Sequence, residues 1–362
     1  MRSLRFIAAE IFNPYQKMLQ DTGSAVATSR PAAAGAQEKL PIVFLHKGYQ
    51  NYLYYTMRQA RLYNPDAPIY LFGDQANNKF DFLTHVDVTS YEQAAYPFEK
   101  VYKHLSRQTY QFEMYCFKRY FILREIMQKF PFDRFYLCDT DLMFYSNVQE
   151  EYNRLRMGDY KAVLYVHPHP QMEEVLMHNS VWTREVLELF CDFILETYAP
   201  ENVHLLEENY RYKHEIGHPS PFISDMYVLY LFYQKYKDRI PMLDLSPIRD
   251  DATYDYNIGE WPWLDREKNY ELNDKEFYGV KKLHIEDGKA YCYNKQLGRR
   301  IRFNNIHFAG FNKQLVHRYY LGKANPWLYV KQEWPLQRWT FKKNLRLRTR
   351  LNKLASLVGL KK

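Results

Sequence analysis

The sequence predicts an α/β fold with a mixed, mostly parallel central sheet and helices on both faces. Short apolar runs such as Ile42-Val43-Phe44-Leu45 and Ile69-Tyr70-Leu71-Phe72 alternate with longer helical patterns, which is the signature of parallel strands joined by crossover helices. The runs end in polar punctuation, His46-Lys47-Gly48 and Gly73-Asp74. Apolar residues make up 46 % of the 362 positions and charged residues 25 %, enough to build a buried core and ordinary for a globular chain.

Residues 1–20 read as a short amphipathic helix, and the Ala, Gly, Ser and Pro content of Ser24 to Lys39 reads as a flexible connector, so 1–40 is set apart as an N-terminal segment. A single domain is expected over 41–330. Ile42–Leu45 opens it as a strand, Tyr49 to Tyr63 follows as a helix stopped by Asn64-Pro65, and Ile69–Phe72 closes a β-α-β unit. Phe112 to Phe130 forms a long helix that feeds through Pro131-Phe132-Asp133 into the strand Phe135-Tyr136-Leu137-Cys138. Ala162 to Val166 continues the sheet, and Val181 to Tyr198 and Ile223 to Tyr236 are expected as helices. Beyond Ile240 the Trp, Pro, Asp and Tyr content predicts loops and short strands.

The strand ending at Cys138 runs into Asp139-Thr140-Asp141. Open α/β sheets bind ligands at such strand ends, and two hard oxygen ligands there suit Mn²⁺ or Mg²⁺, which in turn holds a diphosphate. A second constellation, His307, Gly310 and Lys313, has the spacing H-x-x-G-x-x-K. His307 offers a nitrogen ligand to a metal already held by carboxylates, Gly310 lets backbone approach a phosphate, and Lys313 is a mobile cation for a leaving diphosphate. Each motif alone is weak, a polar turn or a satisfied histidine; their combination is what carries weight. His167-Pro168-His169 supplies no third ligand and reads as a turn, and Trp261 and Trp263 read equally as loop anchors or an acceptor platform.

The order of these features resembles the metal-dependent nucleotide-sugar glycosyltransferases of the GT-A fold, and among them glycosyltransferase family 8, the glycogenin and lipopolysaccharide galactosyltransferase group. The likeness spans Pro41 to Arg318. It implies that Asp139, Asp141 and His307 bind the metal and that Lys313 and the Gly310 backbone receive the diphosphate, with Asp139 also close to the ribose. It implies a nucleoside site at His46, Lys47, Asn51 and Tyr52, and a donor contact from Arg119 or its neighbour Lys118. Asp225, at a Ser224-Asp225 helix start, takes the place of the acidic residue near the reacting centre, and Asn179 that of a contact to donor sugar or acceptor. The partners so implied are a nucleotide-sugar, with uridine as the expected base, and a glycan or lipid-linked acceptor; retention is slightly favoured. The alternative is a non-catalytic sugar-nucleotide-binding protein or a membrane adaptor.

The net charge of +8 is concentrated at the end of the chain: Arg338 to Lys362 holds nine Lys and Arg and no Asp or Glu, leaving the rest near neutral. Leu347, Leu351, Leu354 and Val358 share one helical face. A basic helix with an apolar face predicts a tail, 331–362, that docks on anionic lipid. A basic surface for nucleic acid is not expected, since the body does not extend it. The four cysteines are widely spaced, no apolar run reaches about 18 residues, and the first eleven residues are too charged for a secretory signal. The expected location is therefore cytoplasmic, peripheral on the inner face of the cell membrane.

Overall fold

The computed structural model describes residues 39–169, 171–259, 269–273, 279–334 and 336. In chain order the elements are β1 (Ile42–Leu45), α1 (Leu53–Tyr63), β2 (Ile69–Gly73), β3 (Thr84–Asp87), α2 (Tyr96–Val101), α3 (Tyr110–Met127), β4 (Arg134–Cys138), β5 (Leu142–Phe144), α4 (Val148–Arg154), β6 (Ala162–Val166), β7 (Val175–Thr183), α5 (Arg184–Thr197), α6 (Val203–Glu215) and α7 (Asp225–Tyr236). Short strands follow: β8 (Met242–Asp244), β9 (Ala252–Thr253), β10 (Leu272–Asn273), β11 (Val280–Lys281), β12 (His284–Glu286), β13 (Lys289–Asn294), β14 (Arg299–Phe303) and β15 (Asn305–His307). The basic tail from Arg338, the N-terminal segment up to residue 38, and Trp261 with Trp263 lie outside the described residues. No helix among those described is long and apolar enough to cross a membrane.

Two compact units divide the chain. The first comprises residues up to Gly48, Asn64–Asp139 and Ser146–Tyr254; the second comprises Tyr49–Tyr63, Thr140–Tyr145 and residues from Asp255 onward.

The first unit is built on a seven-stranded sheet of order β3-β2-β1-β4-β7-β6-β8. The pairs β3/β2, β2/β1, β1/β4 and β6/β8 are parallel, whereas β7 runs antiparallel to both β4 and β6. Central strands such as β1 and β4 are continuous apolar runs because neighbours cover both edges and both faces. Helices α3, α5 and α7 pack on one another, and α5 and α7 also pack on β7. Their start points are written in the sequence: Thr109, Thr183 and Ser224 each accept a bond from a first-turn amide through the side chain, a cap contributing about 1 kcal/mol. At the heart of the layer Trp182, Tyr120 and Phe190 are fully buried, with Phe190 4.8 Å from Tyr120 and 5.7 Å from Trp182 between ring centres.

One expectation fails here. The sequence pattern predicts a helix from Val181, yet Val181 to Thr183 finish β7, and the helix begins only at Arg184. Val181 pairs with both Tyr136 and Val163, and Trp182 with both Phe135 and Ala162. A β-branched and aromatic triplet flanked by two strands gains more from the ladder than from an extra helical turn, and Thr183 then caps the helix.

In the second unit β5 pairs antiparallel with β15, matching Leu142 to His307 and Phe144 to Asn305. Helix α1 packs on β5. Buried Gln59 of α1 donates to the Phe144 carbonyl at 3.0 Å and accepts from the Leu321 amide at 3.1 Å. Strands β12, β13 and β14 form an antiparallel meander, and β15 leads into a 3-10 helix, Gly310–Tyr319.

Candidate metal and diphosphate site

Asp141 and His307 face each other because β5 and β15 are paired, with the Phe308 amide bonded to the Asp141 carbonyl at 3.0 Å. The His307 Nε2 to Asp141 Oδ1 distance is 3.4 Å, and Lys313 Nζ lies 3.1 Å from the other carboxylate oxygen. Burial alone raises the Asp141 pKa, but the facing His307 and Lys313 outweigh it and hold the carboxyl well below its usual range. His307 Nδ1 sits 2.7 Å from the Tyr256 carbonyl. A carbonyl can only accept, so Nδ1 carries the hydrogen; in the imidazolium that holds the Asp141 carboxylate Nε2 donates to it, and on loss of that proton Nε2 turns a lone pair towards the same oxygen. Two acceptors at that distance fit a shared cation, and the carbonyl behind the ring is the outer partner that metal-bound histidines generally have.

The 255–257 loop that orients His307 is itself fixed by a buried ion pair. Asp255 accepts from the His307 amide at 3.1 Å and meets Lys281 at 3.0 Å, both side chains being 1 % exposed. Lys281 also donates to the Asn257 carbonyl. Sequence reading placed Asp255 in a loop and missed this pair, since Lys281 lies on a different strand and no spacing rule joins them.

Gly310 opens the 3-10 helix with φ +59°, and a Cβ added there would meet nothing within 4 Å. The left-handed backbone is what this position demands of its residue within the protein. Lys313 lies over the Tyr52 ring at 5.5 Å, and the Tyr52 hydroxyl is 3.2 Å from Thr140 Oγ1. Asn51, Tyr52, Gly310 and Lys313 line one cleft of about 440 Å³, within the range of small-molecule sites.

In the first unit Asp139 ends the β4 exit, its amide bonded to the His178 carbonyl at 3.3 Å. Arg119 reaches it from α3 at 3.2 Å and reaches Asp225 at 2.5 Å with its other terminal nitrogen. Asp225 also accepts from the Tyr120 hydroxyl at 3.2 Å, and its amide donates to Glu113 at 3.4 Å. Buried Glu113 accepts from Ser106 at 2.8 Å; burial, reinforced by the charge of Asp225, pushes its pKa up to about 7. Glu113 and Tyr120 were not foreseen: a first-turn Glu reads as a helix-dipole partner, and a tyrosine among 34 has no distinguishing mark.

The remaining sequence candidates fall as follows. His46 accepts at its carbonyl from Asn77 at 2.8 Å, while Lys47 is paired with Glu92 and lies 5.7 Å from the Tyr115 ring centre. Both belong to the first unit, whereas Asn51 and Tyr52 belong to the second. Lys118 is paired with Glu99, leaving Arg119 as the residue that meets the acids. Asn179 is fully buried in β7 opposite Cys138 and accepts from the Tyr136 hydroxyl. His169 donates its amide to His167 Nδ1 at 3.0 Å, the expected turn.

No family model and no curated protein matches the sequence. Among solved structures, the chain is similar to the galactosyltransferase LgtC in complex with donor and acceptor sugar analogs, with a TM-score of 0.41, 9 % identity, and 80 % of this chain and 99 % of that one covered. Mouse xyloside xylosyltransferase 1 in its apo form gives a TM-score of 0.40 at 9 % identity over 62 % of this chain and 89 % of that one. The bifunctional glycosyltransferase WbbM gives 0.39 at 13 % identity, covering 84 % of this chain and 54 % of that one. Likenesses of this size assign neither activity nor ligand, so the functional reading rests on the side chains of this chain.

Proposed function

We propose that the protein is a metal-dependent glycosyltransferase that moves a sugar from a nucleotide-sugar, of the uridine type, to a glycan or lipid-linked acceptor. The observation that carries this reading is the Asp141 carboxylate: His307 presents Nε2 to one oxygen and Lys313 presents its ammonium to the other. Asp139, joined to Asp141 through Thr140 alone, adds the second carboxylate of the set. These three residues would hold Mn²⁺ or Mg²⁺, which supplies Lewis-acid charge to a leaving diphosphate when bound. Lys313 adds a mobile cation for the same charge, and the Gly310 backbone turns at the mouth of the cleft that Asn51 and Tyr52 share.

Arg119 and Tyr120 hold Asp225 in place, as a carboxylate that orients an acceptor hydroxyl or faces developing positive charge has to be held. Asn179, buried in β7, accepts from the Tyr136 hydroxyl. The reading favours retention, and it takes the basic segment 338–362 as a peripheral anchor on the inner membrane face, supported by its charge and Leu spacing.

The decisive experiment is a screen of nucleotide-sugars for Mn²⁺- or Mg²⁺-dependent hydrolysis and thermal stabilisation, with Asp141→Ala beside the parent. A donor that stabilises the parent only with metal, and leaves Asp141→Ala unchanged, supports the assignment. If no donor shifts the melting temperature, or if the variant binds metal and donor as well as the parent, it fails. Co-sedimentation with anionic liposomes, with and without 338–362, tests the anchor separately.

A further inference from the structure

The cleft in the second unit has a wall that the motif residues do not account for. Besides Lys313 and Gly310 it is lined by Gln314, Lys331 and Gln332, and among the described residues no carboxylate lines it. Lys331 and Gln332 lie on a helical segment, 326–334, that begins at Asn325, whose side chain accepts from the Leu328 amide at 3.2 Å. This segment is fastened to the 3-10 helix bearing Lys313. Glu333 accepts from Arg318 at 2.8 and 3.0 Å and meets His317 Nε2 at 2.7 Å, and the Tyr329 ring lies 4.9 Å from that of His317. The clamp therefore sets two lysines on the walls of one cavity of about 440 Å³.

We infer that Lys331 is a second diphosphate-binding cation beside Lys313 in the cleft. This rests on the glycosyltransferase reading for the identity of the ligand, while the anion site itself rests on the two lysines. Lysine binds phosphate as a point charge on a mobile stem, so Lys331 adds affinity without demanding fixed geometry. Because Lys331 is exposed, its contribution is screened by salt.

Calorimetric titration of the full chain with UDP, UMP and inorganic pyrophosphate, each with Mg²⁺, tests the inference in the parent, Lys331→Ala and Lys331→Glu, with Lys323→Ala as a control outside the cleft. The expected result is a loss of about 3- to 10-fold in affinity for UDP and pyrophosphate in Lys331→Ala, as for one partly exposed charge pair. A greater loss in Lys331→Glu, a smaller change for UMP, and a difference that shrinks at high salt belong to the same result. If Lys331→Ala binds UDP and pyrophosphate as Lys323→Ala does, the inference falls while the donor reading stands. If pyrophosphate binds and depends on Lys331 but no nucleoside diphosphate binds more tightly, the anion site stands and the donor reading falls. Binding of neither by the parent overturns both.

Discussion

Arg119 and Asp225 form a buried ion pair of 2.5 Å, and the same guanidinium extends its other terminal nitrogen to Asp139 at 3.2 Å. One cation thus neutralises two carboxylates contributed by a strand exit and a helix start.

Removing that cation leaves both acids without their shared partner. Arg119→Ala should lose about 3–5 kcal/mol of stability, the cost of breaking a buried pair, and sugar transfer should fall by more than about 100-fold. Arg119→Lys keeps the charge but cannot span both acids, so it should recover stability in denaturant melts better than it recovers kcat. Equal recovery of the two would show that the pair only supports the fold.

Glu113 gives the molecule a pH dependence of definite sign. Its pKa is raised from an ordinary carboxylate value to about 7 by burial and by Asp225, so the folded state binds a proton that the unfolded chain has already released. The stabilisation is complete below about pH 4.5, declines between there and pH 7, and is gone above. Urea melts should show Glu113→Gln gaining about 1–3 kcal/mol on the parent between pH 5 and pH 8. A constant difference across that range would contradict the assignment.

Asp255 and Lys281 bear on the candidate metal site through His307. Asp255→Asn keeps an acceptor for the His307 amide but takes from buried Lys281 the carboxylate that lies 3.0 Å from it. Mn²⁺ affinity, read by isothermal titration or by the metal dependence of donor hydrolysis, should drop by about 10- to 100-fold, as for loss of an outer partner of a metal ligand. The double substitution Asp255→Asn with Lys281→Met should restore part of the stability and little of the metal affinity.

Gly310 tests whether backbone or space is the constraint. With φ +59° and nothing near a Cβ, Gly310→Ala should cost about 1–2 kcal/mol through the backbone alone. Gly310→Asn should cost less, because Asn tolerates the left-handed region. Thermal melts that rank Asn below Ala would mean that the added side chain meets something.

Much of the architecture is legible in the sequence because it is local. Strands β1, β2, β4 and β6 announce themselves as apolar runs, Ser224-Asp225 marks the start of α7, and the D-x-D triplet stands at a strand end as expected, whereas the long helix expected from Phe112 starts at Tyr110 behind a Thr109 cap. What stayed hidden depends on partners far along the chain. Strand β7 contains His178-Asn179-Ser180, which breaks any apolar run, and is a strand because β4 and β6 flank it. Glu113 becomes unusual only through Asp225, and Asp255 only through Lys281. The separation of His46 and Lys47 from Asn51 and Tyr52 into different units has no mark in a stretch of seven consecutive residues.

The β5–β15 pairing also governs when the candidate metal site can exist. Asp141 and His307 meet only after the chain between Phe144 and Asn305 has closed on itself, and closure of so long a loop is an entropic expense that later contacts must repay. A cation added during refolding has no site to find until that closure, so it should leave the folding arm of a chevron unmoved and slow the unfolding arm. Metal would then act on this protein as a brake on opening and not as a nucleus for folding.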